Sequence, residues 1–563
     1  MRFLLLALLA LGFPAWSPAQ NSRAQPPPAS RVQQLYGAGR YAEIVALVPA
    51  SPANSPELDL YRGLALARLG RWPEARAAFE AAHAQQPANA RFLVELAGAA
   101  YKMNDSRAAK RSLRRALRLA PDDRYARNFL ASLYFLDGNL EAALAEWNRI
   151  DQPRIIAVDR SPQPRLRGVL LDRAFAFASL ETLRLGDLRA TEARLDNLGV
   201  FASYRFELAP VASDNYSVTF HSLERSGWGA GKLDGLLSLV RGLPYLTVEP
   251  GFYNLHDAAI NVSSLLRWDD NKRRVTVAVS GPLGGDPRWR AGIHFDARNE
   301  NWDLSRTFRG PSGSLANLNL EKIEIGPEFR AVESGRWGWQ AGVVYAYRRF
   351  RNVAALAPAA APFFTSGGSL EYRARTDYRI LDNPGRRLRV DSGVAAEYGR
   401  NFARGLGGFG ATTGAVELRW LPRARGDDYQ TSLQFRAGRA YGFATLDQLY
   451  QLGVERDNDL WLRGVAGTRR GRKGSAPLGR EYALWNWETD KTLYQNGLIE
   501  FRLGPFLDAG RVADPSGLVG SSGWLWDPGL ALTVRVLGSV SVVLSYGRDI
   551  GSGRGAFYAT STR

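Results

Sequence analysis

The chain has no cysteine. Disulfide frameworks, thiolate nucleophiles and cysteine-bound metals are therefore excluded. Histidine is nearly absent: the four, His83, His221, His256 and His294, fall in three different regions and never at metal-ligand spacing. No Ser/His/Asp set can be placed, so no catalytic, metal or cofactor site is expected and the chain does not read as an enzyme. After the N-terminal segment Phe3–Leu11, no stretch reaches the ~18 consecutive apolar residues that a membrane-spanning helix needs. Acids are in the minority, 55 against 73 Lys+Arg, for a net charge of +18. No helix reads as carrying a compact basic stripe, so the arginines read as solvated faces and nucleic acid is not an expected partner.

What is present points outward from the cytoplasm. Met1-Arg2 gives a charged start, Phe3–Leu11 is unbroken apolar, and Ser17-Pro18-Ala19 offers small residues at a cleavage site. Residues 1–19 read as a secretory signal peptide. Residues 20–30, rich in Gln, Ser, Ala and Pro, read as a linker. The exported chain is then either soluble beyond the cytoplasm or a membrane β-barrel.

A repeat follows. Gly70, Asn104 and Gly138 recur at one constant interval, as do Trp72, Ser106 and Leu140. Ala75, Ala109 and Ala143 keep the same period, with Phe79, Leu113 and Trp147, and Pro87 and Pro121. Gly37–Leu47 looks like an earlier copy at a shorter offset. A 34-residue period with a small residue at the turn and an alanine in the second helix resembles the tetratricopeptide repeat. One such helix pair cannot hide its apolar face alone, so neighbours stack. About three repeats are expected over residues 31–150. The resemblance implies docking of a protein partner in a concave face; a plain spacer is the alternative.

Residues 155–226 form a different pattern. Phe175 and Phe177 alternate with small residues, as in a short strand. Leu188, Leu195 and Leu198 share one helical face, and Gly199 stands in the helix-stop position. Strands Tyr204–Leu208 and Tyr216–Leu223 flank the turn Ser213-Asp214-Asn215. The run LRLGDLRATEARLDNLGVFASYRFEL resembles the polypeptide-transport-associated (POTRA) domain. The resemblance implies a sheet edge that receives client strands.

From residue 227 to 563 the period becomes two. Trp337, Trp339, Ala341, Val343, Tyr345 and Tyr347 alternate with Gly338, Gln340, Gly342, Val344 and Ala346. Leu370, Tyr372, Ala374, Tyr378 and Ile380 alternate with Glu371, Arg373, Arg375, Asp377 and Arg379. A soluble sandwich would turn the apolar side inward; an outer-membrane barrel turns it to lipid. Three features favour the barrel: the export signal, the aromatics at strand ends, and an alternating run that fills the rest of the chain without a helical break. At ~20 residues per strand and connection, with strands of ~10 residues, about 16 strands are expected. Gly405, Gly407 and Gly410 spell G-x-G-x-x-G, but strand continues through Val416, Leu418 and Trp420, so this reads as a barrel turn and not a dinucleotide site.

The stretch 458–511 carries the sharpest signal. Arg463-Gly464 sits in a long, Gly-rich, basic loop, and Glu488, Glu500 and Asp508 lie on the polar side of the strands that follow. The basic run Arg469, Arg470, Arg472 and Lys473 reads as part of the same loop. With an export signal, a POTRA-like module and a barrel in line, Leu462-Arg463-Gly464 and Phe506-Leu507-Asp508-Ala509-Gly510 resemble the bacterial surface antigen superfamily of outer-membrane assembly and translocation barrels. Val465 stands where that family usually has Tyr or Phe. The closing Gly547-Arg548-Asp549 with Gly553-Arg554-Gly555-Ala556-Phe557-Tyr558 also resembles the family's last hairpin, though the chain ends on Arg563 rather than an aromatic.

The resemblance implies a loop folded back into the lumen, with Arg463 paired to Asp508 and Glu488 close by. It implies a protein of the outer membrane with periplasmic N-terminal domains, acting on client polypeptides amid outer-membrane lipid. A polysaccharide-export porin on a repeat scaffold is the competing reading.

Overall fold

In the computed structural model the described residues are 29–52, 54–212, 215–225, 227, 246–305, 314–355, 358–403, 407–422, 429–496, 499–513, 520, 523–536 and 540–562. The expected signal peptide and most of the expected linker lie outside them. So do Ser213 and Asp214 of the expected turn, and Gly405 of the glycine motif.

Two compact units divide the chain at Leu133/Tyr134. In the first, helix pairs recur at the interval read from the sequence. Pro56–Arg68 and Trp72–Gln85 are followed by Ala90–Lys102 and Ser106–Leu119, and Arg124–Leu136 opens the next pair. A shorter pair, Ala29–Gly37 and Tyr41–Leu47, precedes them. The turn residues Gly39, Gly70, Asn104 and Gly138 all have positive φ, between 61° and 75°. Glycine and asparagine tolerate that left-handed turn best, which explains why small residues mark the period. Gly63 faces Phe79 so closely that a Cβ on Gly63 would stand 2.5 Å from the ring. The period thus pairs a small residue on one helix with a large one on the next.

Helix Ser106–Leu119 departs from expectation. Its basic residues Arg107, Lys110, Arg111, Arg114, Arg115 and Arg118 recur at helical spacing on one side, and the helix contains no acid. Reading net charge over the whole chain hid this row, because acids elsewhere dilute it.

The second unit opens with a small α+β module. Its sheet holds strand Arg154–Arg160 parallel to Asn215–Glu224, which pairs antiparallel with Phe201–Ala212. Helices Gly168–Ala174 and Leu185–Leu198 pack Leu170, Leu171, Leu195 and Leu198 onto Phe201 and Phe220. Gly199 ends the second helix at φ 65°. The expected strand at Phe175 and Phe177 is absent; strand Arg154–Arg160 takes its place in the sheet. The two phenylalanines lie in irregular chain, and both rings pack edge-on to Phe206. Alternation there reflected aromatic packing rather than a pleat.

The rest of this unit is a closed antiparallel β-barrel of eighteen strands among the described residues. Two of them, Thr468–Arg469 and Arg472–Lys473, belong to an in-folded loop, leaving sixteen segments that make up fifteen wall strands among the described residues. Thr247–Val248 and Gly251–Leu255 pair in turn with the same neighbour, Ile260–Trp268. Wall strands reach 20 residues, at Asp286–Ser305, well beyond the ~10 that a bilayer needs. The sheet therefore extends past the hydrocarbon layer.

The faces of the wall decide between sandwich and barrel. Tyr372, Tyr378 and Ile380 are about half exposed, whereas Glu371 beside Tyr372 is buried. Tyr345 and Tyr347 are exposed, and Val344, Ala346 and Arg348 are buried. Apolar side chains thus face out and charged ones in. Tyr372 to Ile380 spans roughly 27 Å of strand, or ~20 Å along the normal at a ~40° tilt, close to the apolar band of an outer-membrane barrel.

The module is docked on the barrel's turns. Arg290 Nη1 donates to the carbonyls of Asn197 and Leu198, both at 2.7 Å, and Asn261 Nδ2 donates to Leu198 at 2.9 Å. These are the last carbonyls of helix Leu185–Leu198, which have no partner within the helix. A cation at that end also matches the helix dipole. On the same helix, Arg189 reaches Glu141 at 2.8 Å and Asp382 at 2.9 Å.

Candidate functional site: the loop inside the barrel

Wall strands Tyr429–Gly442 and Glu481–Gln495 pair directly with each other, so residues 443–480 form a long insertion at the end of a hairpin. That insertion turns into the lumen. Its residues Leu452 and Leu462 are fully buried, and they pack with Val465, Tyr482, Leu484, Val512 and Leu525 of the loop and wall.

Arg463 lies at the deepest contact. Its Nε donates to Asp508 Oδ2 at 2.8 Å, Nη2 to Oδ1 at 2.9 Å, and its backbone N–H to Oδ2 at 3.0 Å. Asn486 Nδ2 adds a fourth bond to Asp508 Oδ1 at 2.8 Å. A carboxylate has about four acceptor sites, so Asp508 is saturated, and the guanidinium fork meets it with two parallel bonds. The third nitrogen, Nη1, donates to Glu488 Oε2. The guanidinium also lies 3.6 Å from the centroid of the Phe506 ring. Asp508 is inaccessible to solvent, and Arg463 retains a tenth of its side-chain exposure. The structure therefore brings together Arg463, Glu488 and Asp508. Glu500 is placed elsewhere, bonded to Arg535 at 2.9 Å.

Gly464 is required by close approach. Its N–H donates to Asp527 Oδ2 at 2.7 Å. A Cβ there would stand 2.6 Å from the backbone nitrogen of Asp549, and a Cβ on Gly547 would stand 2.6 Å from the Arg463 carbonyl carbon. Two backbones touch with no side chain between them. Val465 is buried in the apolar cluster, and aromatic stacking comes instead from Phe506, whose ring lies over bare Gly529.

Other contacts were not legible beforehand. Asp457 accepts from Arg267 Nη1 at 2.7 Å and Nη2 at 3.0 Å, from Arg274 at 2.7 Å, and pairs with Lys473 at 3.2 Å. Lys473 also reaches Glu300 at 2.7 Å. Asp447 meets Lys322 at 2.8 Å and the buried Arg348 at 3.1 Å. The loop is thus tied to three sectors of wall: strands 260–305 through Asp457 and Lys473, strands 314–355 through Asp447, and strands 481–548 through Arg463-Gly464. Of the basic run, Lys473 is buried in this network while Arg469, Arg470 and Arg472 are exposed. The run Glu455-Arg456-Asp457-Asn458-Asp459 in a loop of an otherwise basic chain was the available signal for the Asp457 cluster.

The loop also brackets the place where the sheet closes, between strand Gly555–Thr562 and Thr247–Val248. On one side, Asp457 holds Arg267 and Arg274, and Arg456 reaches Glu249 at 2.9 Å. On the other, Trp461 packs edge-on to Tyr558 at 5.4 Å, and Gly464 touches strand Leu525–Val536 through Asp527.

Among families of known proteins, the tetratricopeptide repeat family matches residues 66–133. This stretch consists of tetratricopeptide repeats. No curated relative matches the chain by sequence. Among solved structures, the chain is similar to BamA from Haemophilus ducreyi lacking POTRA domains 1–3, at 12% identity and TM-score 0.43, covering 73% of this chain and 84% of that one. It is also similar to CdiB from Escherichia coli, at 14% identity and TM-score 0.48, covering 73% and 77%, and to CdiB from Acinetobacter baumannii, at 12% and 0.43, covering 80% and 82%.

Proposed function

We propose that this chain is an outer-membrane barrel that inserts or translocates polypeptides, with its tetratricopeptide repeats docking a partner in the periplasm. One observation carries the reading. The loop 443–480 occupies the lumen and is fastened to both sides of the barrel's closure, through Asp457 on one side and Arg463-Gly464 on the other. A barrel built as an open pore has no use for such a strap. A barrel whose wall must stay shut until a client engages does.

The α+β module supports the same reading. Among the described residues, strand Phe201–Ala212 pairs on one side only and offers a free edge for a client strand. Beside it lies a cavity of about 750 Å³ lined by Tyr204, Phe206, Arg389 and Arg419. The polysaccharide-export alternative fares worse, because two lumen cavities flanking the loop are only about 380 and 430 Å³. Volumes of that size suit a small molecule, not a polymer in transit.

The test is photo-cross-linking in cells from Val211, which is exposed on the free-edge strand. Capture of unfolded outer-membrane polypeptides is expected. Capture of glycan synthases or glycan alone would overturn the reading in favour of export.

A further inference from the structure

Helix Ser106–Leu119 exposes Arg107, Arg111, Arg115 and Arg118. At 100° per residue these four fall within an arc of about 80°, in a row roughly 16 Å long. Arg115 shares a bond of 3.3 Å with His83; among the described residues none of the four forms an ion pair. The carboxylates of helix Trp72–Gln85, which carries His83, are already engaged, Glu74 by Arg71 and Glu80 by Arg76. The apolar residues of the basic helix, Ala109, Leu113 and Ala116, are buried in the repeat, so this helix cannot embed itself in a bilayer. What it presents is a straight row of guanidiniums, each a fork that fits phosphate.

We infer that this row docks on anionic phospholipid headgroups, as a peripheral contact of the repeat unit with a membrane surface. Headgroups are favoured over an acidic protein because of what the row lacks. A specific protein interface is built around an apolar or aromatic centre. Along this arc the helix offers only arginine, and its one exposed leucine, Leu119, lies beyond the end of the row. Charge alone suffices for a headgroup surface, at ~1 kcal/mol for each basic residue near it. Four such contacts correspond to roughly a thousand-fold in affinity.

The experiment uses the full chain held in a nonionic amphipol and floated with preformed vesicles. Vesicles are of phosphatidylcholine alone, or of phosphatidylcholine with about one part in three of phosphatidylglycerol. Salt-reversible co-flotation is expected only with the anionic lipid. The binding constant should fall by about three orders of magnitude in the quadruple variant Arg107→Gln, Arg111→Gln, Arg115→Gln and Arg118→Gln. These positions are exposed, so the variant should keep its helical signal, and unchanged circular dichroism verifies this. Equal binding to both vesicles, binding unaffected by the quadruple change, or retention by poly-glutamate but not by anionic vesicles would each overturn the inference. No client is present in this assay, so its failure is distinct from failure of the insertion reading.

Discussion

Removing Asp508 isolates what the Arg463 clasp is worth. Asp508→Ala deletes an acceptor of four hydrogen bonds and leaves a guanidinium with only Glu488 and the Phe506 face as partners. Breaking a buried ion pair from one side costs ~3–5 kcal/mol, because the remaining charge stays desolvated. Arg463→Ala should cost a similar amount, since it strands a fully buried carboxylate. The double variant removes both charges at once. It should be less destabilised than the sum of the singles by roughly 2 kcal/mol or more. Glu488→Ala is the internal control: its side chain is about a quarter exposed, so a loss nearer ~1 kcal/mol is expected. Arg463→Lys keeps the charge but loses the fork, and should fall between. The assay is urea unfolding of the purified barrel in detergent, read by the folded band's faster migration on unheated gels. Independent sites add to within ~0.5 kcal/mol, so additivity of the two alanine variants at that level would refute the clasp. An Asp508→Ala loss no larger than that of Glu488→Ala would refute it too.

Gly464→Ala should expel the loop tip, because its methyl would stand 2.6 Å from the Asp549 nitrogen; trypsin cleavage at Arg469–Arg472 should become at least tenfold faster, and unchanged cleavage would contradict the close contact. Asp457→Asn should leave Arg267, Arg274 and Lys473 without their shared anion; it should cost ~3 kcal/mol or more in the same urea assay and raise current noise in planar bilayers, whereas quiet traces would argue against a strap at the closure. Burial and the neighbouring Glu141 and Asp196 carboxylates push Glu192, on the module's docking helix, up to about 7. The folded module then holds a proton that the unfolded chain releases near 4.5, so stability should decline as pH rises from about 4.5 to 7. Glu192→Gln should therefore match the parent at pH 4 and exceed it at pH 8 by ~3 kcal/mol in the module's thermal transition within the full chain; an equal effect at both pH values would exclude this cause.

Periodicity made the architecture legible. The repeat spacing survives because each turn needs a residue tolerant of positive φ, which limits Gly70, Asn104 and Gly138 to small or amide side chains. The two-residue period survives because lipid and lumen impose opposite chemistry on alternate positions, as at Tyr372 and Glu371. The Arg463 to Asp508 contact could be named because the residues around both resemble a known family; the pattern alone left Glu488, Glu500 and Asp508 as equal candidates. Asp457, Asp447 and their partners could not. Their cations, Arg267, Arg274, Lys322 and Arg348, lie far back in the chain, on strands where arginine is ordinary. Nothing local distinguishes a lumen arginine that meets the loop from one that meets water. The false strand at Phe175 and Phe177 has the same origin: two aromatics separated by a single residue satisfy a pleat and an edge-on cluster equally well.

The two ends of the strap are mechanically unlike, and this decides which must yield if the closure parts. At Arg463-Gly464 the loop backbone is itself engaged, with Gly464 against Gly547 and the N–H groups of Arg463 and Gly464 bonded to Asp508 and Asp527, beside the guanidinium clasp. Separation there breaks backbone bonds that no swing of the Arg463 side chain can preserve. At Asp457 the contact runs through the long side chains of Arg267 and Arg274, one on each of two neighbouring strands. Such side chains can swing by several ångströms while keeping one bond of the set. Lys473, in the same loop, also pairs with Asp457 and reaches Glu300 on the next wall strand through its own long side chain. Parting of the closure is therefore absorbed first on the side of strands 260–283, while the loop stays fixed to strands 481–548. A charge reversal at Arg274 should loosen that side without touching the Arg463 clasp. Its effect on urea stability should add to that of Asp508→Ala, whereas strong coupling between the two would mean that the loop moves as one rigid plug.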